Sequence, residues 1–394
     1  MANAGRPLVV IAGSVAQRPN RGGHAWVFLQ YVLGFRRLGW DVLFLDRLTE
    51  DMVPAEGDAT QPALSFWPSV DWFLKVVRRG AVGDGYSLAL PGGGRLGLDR
   101  AEVLRRTHRS SFLLDVNGFL NDEEISAAAR LRVFLDIDPG FNQMWHELGL
   151  ANVLAGFDAY VTTAQRMGQP DCLIPTCGRS WITTLPPVVL EAWPVAPPRP
   201  DGAFTSIATW RGPFEPVEFQ GDRYGLRVHE FRRFASVAAN SGERFELALD
   251  IDAADHVDIA MLAHQGWQLI DPMIATSTLA AYQDFINASK AEFAVAKQMY
   301  VKTRSGWISD RTVCYLASGR PVIVQDTGQR AVLGGSDGIS IFGSIEEAIA
   351  LIRDIAENHT ARAQIARMLA EQRFDSDIVL PALLSNLSLT NRMS

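Results

Sequence analysis

The densest run of chemistry-bearing residues extends from Lys302 to Thr312. It carries three cations (Lys302, Arg304, Arg311) and four hydroxyls (Thr303, Ser305, Ser309, Thr312) around Gly306, and leads into a helix expected over 310–318. Hydroxyls, backbone N–H groups and arginines together suit a diphosphate, which offers many acceptor oxygens and about two negative charges. The plainer alternative is a solvated basic loop in which Ser309 or Asp310 simply caps the helix. A second pattern, Gly22-Gly23-His24, also opens a helix. Glycine lets a ligand approach the backbone, and a helix start offers free N–H groups and a positive dipole. The tight G-x-G-x-x-G of dinucleotide sites is absent, and a flexible glycine turn explains the pair equally well. His24 adds an imidazole, whose titration near neutral pH suits a general base; lining the loop without catalysis is its alternative.

The third constellation is Asp136-Ile-Asp138-Pro-Gly-Phe-Asn-Gln143. It places two carboxylates and an amide where a buried strand ends, the usual position of α/β ligand sites. Asp138 could bind an acceptor, act as a base or orient His24; an Asp-Pro-Gly turn is the structural alternative. Asp136 and Asp138 share a strand face, so a magnesium pair is conceivable. Lys290, Glu292 and Lys297 flank another expected strand, 293–295, where Glu292 could hold a sugar hydroxyl or form an ordinary ion pair.

The elements that must position these residues alternate. Leu8–Ala12 is a β-branched apolar run, as in a strand buried on both faces. A helix to Leu38 and a strand over 41–45 follow, making a βαβ unit of a parallel sheet. Further strands are expected over 111–114, 132–137, 158–162 and 172–174. Six prolines fall within Pro186–Pro200, a stiff extended connection. Beyond it come strands over 206–209, 245–249, 267–270, 293–295 and 321–324, and helices over 229–239, 254–265 and 279–288. The expected division is 1–190, a linker 191–203, a second α/β domain 204–375, and a segment 376–394 that packs back on the first.

Of the 394 residues, 47% are hydrophobic and 21% charged, enough for full cores and against disorder. A net charge of −7 disfavours nucleic acid or an anionic membrane as the main partner. Cys172, Cys177 and Cys314 make neither a disulfide framework nor a zinc site, which fits a reducing compartment. Met1 to Pro7 show no signal-like pattern, and no apolar run is long enough for a membrane helix. A cytoplasmic protein without membrane insertion is expected; a homodimer is compatible.

Gly22-Gly23, the following helix and Arg36–Val42 (RRLGWDV) resemble the opening of glycosyltransferases with the two-Rossmann GT-B fold, particularly family-4-like members. Ala317–Val322 (ASGRPV) with Asp326 and Gly328 is similar to their donor-side motif. Trp210-Arg211-Gly212 falls where they place an arginine against the donor phosphate. The likeness covers nearly the whole chain in layout and only these patches in residues. It implies two Rossmann-like domains facing each other across a cleft. It also implies a nucleoside-diphosphate sugar as co-substrate, a UDP-sugar being expected, and no metal or other cofactor. Arg211, Arg304, Ser305, Ser309, Arg311 and Thr312 would hold the diphosphate. Gly22, Gly23 and Gln143 would line the donor or acceptor loops, and His24 or Asp138 would serve catalysis. The acceptor would be a small molecule, a natural product or a cell-envelope precursor. The family's two donor-site glutamates, separated by seven residues, align with Gly306 and Cys314, so the sugar and ribose would be held otherwise, by Asp310, Ser309 or Arg311, with Glu292 a further candidate for a sugar hydroxyl. An epimerase or hydrolase of the same fold and a non-catalytic binding subunit remain alternatives.

Overall fold

The computed structural model describes residues 6–52, 67–212, 214–333 and 338–389. The ends of the expected first and last segments, 1–5 and 390–394, lie outside the described residues. Strands β1 (Leu8–Ala12), β2 (Asp41–Arg47), β3 (Tyr86–Ala89), β4 (Arg95–Gly97), β5 (Phe112–Val116), β6 (Arg132–Asp136), β7 (Ala159–Thr162) and β8 (Trp181–Thr183) form one sheet. Its order is β4-β3-β2-β1-β5-β6-β7-β8, and β4 alone runs antiparallel to its neighbour. The second sheet comprises β9 (Phe204–Thr209), β12 (Phe245–Asp250), β13 (Trp267–Ile270), β14 (Ala291–Ala294), β15 (Val322–Gln325) and β16 (Ser340–Phe342). It is parallel in the order β13-β12-β9-β14-β15-β16; β10 (Val217–Phe219) and β11 (Asp222–Tyr224) form a separate hairpin.

Each sheet reverses its winding beside its first strand, β1 between β2 and β5, β9 between β12 and β14. Such a switch point leaves a crevice at the carboxyl ends of the strands, where ligands bind. The two crevices face each other. Arg21, before the first helix, pairs with Asp250 at the end of β12 at 3.0 Å. Asp138, after β6, meets Lys297, after β14, at 2.7 Å. This is the two-Rossmann arrangement that the sequence patches imply.

The halves share apolar surface. Trp26 of the helix Gly22–Arg37 donates its indole N–H to the Leu279 carbonyl at 3.1 Å, and its ring lies 5.0 Å from that of Trp193. The connection after β8 is tied to the chain's far end. Val188 donates to the Phe374 carbonyl at 2.8 Å, and Ser376 donates back to Val188 at 2.9 Å. The helix Ser376–Asn386 then lies on Gly22–Arg37, close enough that a Cβ on Gly34 would stand 2.6 Å from Leu380. Leu380, Leu383 and Leu384 are buried there, each stabilising by about 1.5–3 kcal/mol.

Two expected elements differ. Residues 172–174 form no strand; Leu173 instead donates to the Thr303 carbonyl of the other half at 2.9 Å. The single helix expected over 229–239 is broken into Arg227–Phe231, a 3-10 turn at Arg232–Phe234, and Val237–Ser241. Among the described residues no helix is long and apolar enough to cross a membrane.

Candidate functional site

At the switch point of the second sheet, Glu292 on β14 is fully buried and accepts from Arg311 Nε at 2.6 Å. Arg311 Nη1 also donates to the Ile207 carbonyl of β9 at 2.7 Å, so one guanidinium spans both strands that flank the crevice. Burial opposes its charge, but Glu292, Tyr282 and Tyr315 together outweigh burial, and the guanidinium holds its proton more tightly than usual. Ser309 caps the helix Asp310–Ala317, accepting from the Arg311 N–H at 3.2 Å. Thr312 Oγ1 and Glu292 Oε2 are buried without a hydrogen-bond partner among the described residues. Arg311, Ser309 and Thr312 line a pocket of about 360 Å³ of open space, with Trp307, Gln325 and Gln329 among its other walls. Buried polar atoms usually find partners, and Thr312 brings one without a partner into the pocket wall.

Beside the pocket lies a second charged group. Lys297 Nζ lies 2.8 and 2.7 Å from the two carboxylate oxygens of Asp138, and the Tyr300 hydroxyl donates to the same carboxylate. The ammonium stands over the rings of Phe141, Tyr300 and Phe214 at 5.2, 5.4 and 5.8 Å, within cation–π reach. Arg227, at the start of its helix, donates to the Val295 carbonyl and has no carboxylate partner among the described residues. Burial and then Arg311 push it down to about 9, so it stays a cation at neutral pH. Burial raises the Asp310 pKa, against the pull of Arg311.

On the facing half, His24 does not behave as expected. Its Nε2 lies 3.1 Å from both the hydroxyl and the carbonyl of Ser14. Burial, then Arg18, lowers its pKa to about 4, so the ring is neutral and only weakly basic near pH 7. Gly22 and Gly23 face protein. A Cβ on Gly22 would stand 2.5 Å from the Thr278 carbonyl oxygen, and one on Gly23 would stand 2.8 Å from the Tyr282 ring. Close packing of the two halves thus explains both glycines. Gln143 is occupied as well, donating to Asp136 at 2.7 Å while accepting from the Gly140 N–H at 2.8 Å. Asp136 and Asp138 turn to different partners, and among the described residues no metal-holding group of three acids, histidines or cysteines occurs. Burial raises Asp136 to about 7 despite Gln143 and Thr162.

Of the expected diphosphate residues, the structure gathers Ser309, Arg311 and Thr312, with Glu292, at one pocket. It does not bring in the others. Arg211 is exposed and forked onto Asp255 at 3.0 and 2.5 Å. Arg304 is exposed and pairs with Asp171 at 3.2 Å. The Ser305 hydroxyl serves its own turn, donating to the Tyr300 carbonyl at 3.2 Å. The missing glutamates have a steric reason. Gly306 has a φ of 71°, and a Cβ there would stand 2.8 Å from the Arg166 side chain crossing from the other half. Cys314 is buried against the first helix, its sulfur 3.8 Å from Gln30 Nε2. Arg227 and Tyr300 were not among the expected residues. The signal for Arg227 was an arginine opening the first helix after β9; Tyr300 had none.

No family model matches the sequence, and neither does any curated protein. Solved structures do match along nearly the full length. An alpha-glucosyltransferase in complex with UDP and DNA superposes with a TM-score of 0.59 at 10% identity, covering 98% of this chain and 100% of that one. The Anabaena protein HepE in complex with UDP-glucose gives 0.57 at 12% identity, over 97% and 99%. AviGT4, a glycosyltransferase involved in avilamycin A biosynthesis, gives 0.53 at 14% identity, over 97% of each. The chain therefore has the fold of GT-B glycosyltransferases.

Proposed function

We propose that the chain is a glycosyltransferase that takes its sugar from a nucleoside-diphosphate donor bound in the second half. The observation that carries this reading is the pocket at the carboxyl ends of β14 and β15, where Arg311, fixed by Glu292 and by Ile207 of β9, lies beside the unpartnered Thr312 hydroxyl. A departing diphosphate needs fixed positive charge and N–H donors that do not reorganise during reaction. Arg311, Arg227 and the start of the helix Asp310–Ala317 offer these; Trp307, Gln325 and Gln329 offer apolar and amide walls for the base. The likeness to proteins solved with UDP and UDP-glucose supports UDP as the carrier.

In this reading the acceptor enters from the first half, and Asp138 is the better base than His24. As the acceptor hydroxyl oxygen bonds to the anomeric carbon, the carbon–phosphate oxygen bond breaks, the electron pair leaves with the diphosphate, and the hydroxyl proton passes to Asp138. A small-molecule, natural-product or cell-envelope acceptor is proposed. Three free cysteines fit a reducing compartment such as the cytoplasm.

The test is calorimetry with UDP, GDP and dTDP, followed by detection of free nucleotide and transferred sugar from the matching donor. Binding of one diphosphate with donor turnover supports the transferase. The glycine and cysteine at the family's glutamate positions favour a second reading, a non-catalytic nucleotide-binding subunit, which tight binding without turnover would select. No binding at all would sink both.

A further inference from the structure

The cation and the carboxylate joined across the cleft, Lys297 and Asp138, would have different partners in a working enzyme. We propose that the donor's diphosphate takes Lys297 from Asp138, so that donor binding itself uncovers the carboxylate that receives the acceptor hydroxyl. This rests on the nucleotide-sugar reading and adds an order to it, donor first and acceptor second.

Four observations carry it. Lys297 directly follows Ala294–Ala296, which wall the pocket, and its ammonium stands over Tyr300, whose ring packs 4.4 Å from that of the pocket residue Trp307. Asp138 belongs to the opposite half and keeps 27% of its side chain exposed, whereas Glu292, the partner of Arg311, has none exposed. An anion entering the cleft can therefore displace Asp138 but not Glu292. The rings of Phe141, Phe214 and Tyr300 hold the ammonium whichever anion it faces, so the exchange leaves its cage intact. Finally, the Tyr300 hydroxyl also holds Asp138, keeping the carboxylate in place once the ammonium pairs with the diphosphate. A diphosphate carries about two charges against one and accepts several hydrogen bonds, so it is the stronger partner. Until it arrives, both carboxylate oxygens are covered by the ammonium.

The prediction runs against intuition: removing an acid from the site should tighten nucleotide binding. A self-occupied site binds more weakly in proportion to the fraction of time it is free. In calorimetry with UDP, Asp138→Asn should bind about tenfold more tightly than wild type. Lys297→Met should bind more weakly, and adding Asp138→Asn to Lys297→Met should change nothing further. Circular dichroism melts check that each variant folds, with Asp138→Ala as the reserve should Asp138→Asn not fold. Unchanged or weaker UDP binding in the Asp138 variants, with wild type binding UDP normally, overturns the exchange and leaves the transferase reading standing. Absence of UDP binding in wild type and variants alike overturns both.

Discussion

Arg311 and Glu292 form a buried pair, Nε to Oε1 at 2.6 Å, and the same guanidinium reaches the Ile207 carbonyl at 2.7 Å. The pair thus joins the helix Asp310–Ala317 to β14 and β9 at the switch point, combining a structural tie with the charge proposed for the donor.

These two duties can be separated. Arg311→Ala leaves Glu292 charged and unpaired in the interior and should destabilise the protein by about 3–5 kcal/mol. Replacing the pair together, Arg311→Met with Glu292→Leu, should recover most of that stability while still failing to bind UDP. Denaturant melts and calorimetry on the same samples decide it. A double variant that binds UDP like wild type removes Arg311 from the donor site.

The cations of the cleft should divide unevenly. Arg227→Ala should weaken UDP binding by about tenfold or more, the scale of one charge-assisted hydrogen bond. Arg211→Ala and Arg304→Ala should stay within about twofold, since Asp255 and Asp171 already engage them at the surface. A large loss at Arg211 with none at Arg227 would restore the family's usual assignment.

What could be read in advance follows from where the information lies. β1 and β13 were legible to the residue, because a short apolar run bounded by turn residues admits little else. The helix Leu279–Ala288 was legible too, with Thr278 as its cap, accepting from the Ala281 N–H at 2.9 Å. β3 and β8 were not, being short pieces whose pairing comes from strands distant in sequence, and the β10–β11 hairpin was missed because its strands are only three residues each. At the site, Ser309, Arg311 and Thr312 cluster in sequence, so their meeting at one pocket was visible. The grip of Tyr300 on Asp138 spans 162 positions and the two halves, and no local pattern encodes it. The glycines misled in an instructive way: Gly22-Gly23 reads as room for a ligand, and the space is taken by Thr278 and Tyr282.

That packing has its own test. Gly22→Ala places a methyl 2.5 Å from a backbone oxygen, which cannot swing aside, and should destabilise by about 1–3 kcal/mol. Gly23→Ala meets the Tyr282 side chain instead and should be the milder of the two. Thermal melts of both variants suffice. Equal stability to wild type at Gly22 would mean that the halves stand farther apart in solution.

The final prediction concerns His24 and acid. Its folded pKa of about 4 lies below the roughly 6.5 of an unfolded histidine. Between these values the unfolded chain binds a proton that the folded chain refuses. The residue's contribution is therefore intact above about pH 6.5 and is lost as pH falls toward 4, by up to about 3 kcal/mol. Asp46, Asp115 and Asp136 act in the opposite sense, because burial raises each to about 7 and protonating them favours the folded state. A bare pH profile of stability would blend the two effects, so the comparison is between wild type and His24→Asn at each pH. The advantage of wild type should shrink steadily from pH 7 to 4.5. The rate of sugar transfer should meanwhile show no inflection near 6.5 that the variant abolishes. A wild-type advantage independent of pH would show that the ring is as open to protonation in the folded protein as in the unfolded chain, and would return His24 to candidacy as a base that titrates near neutrality.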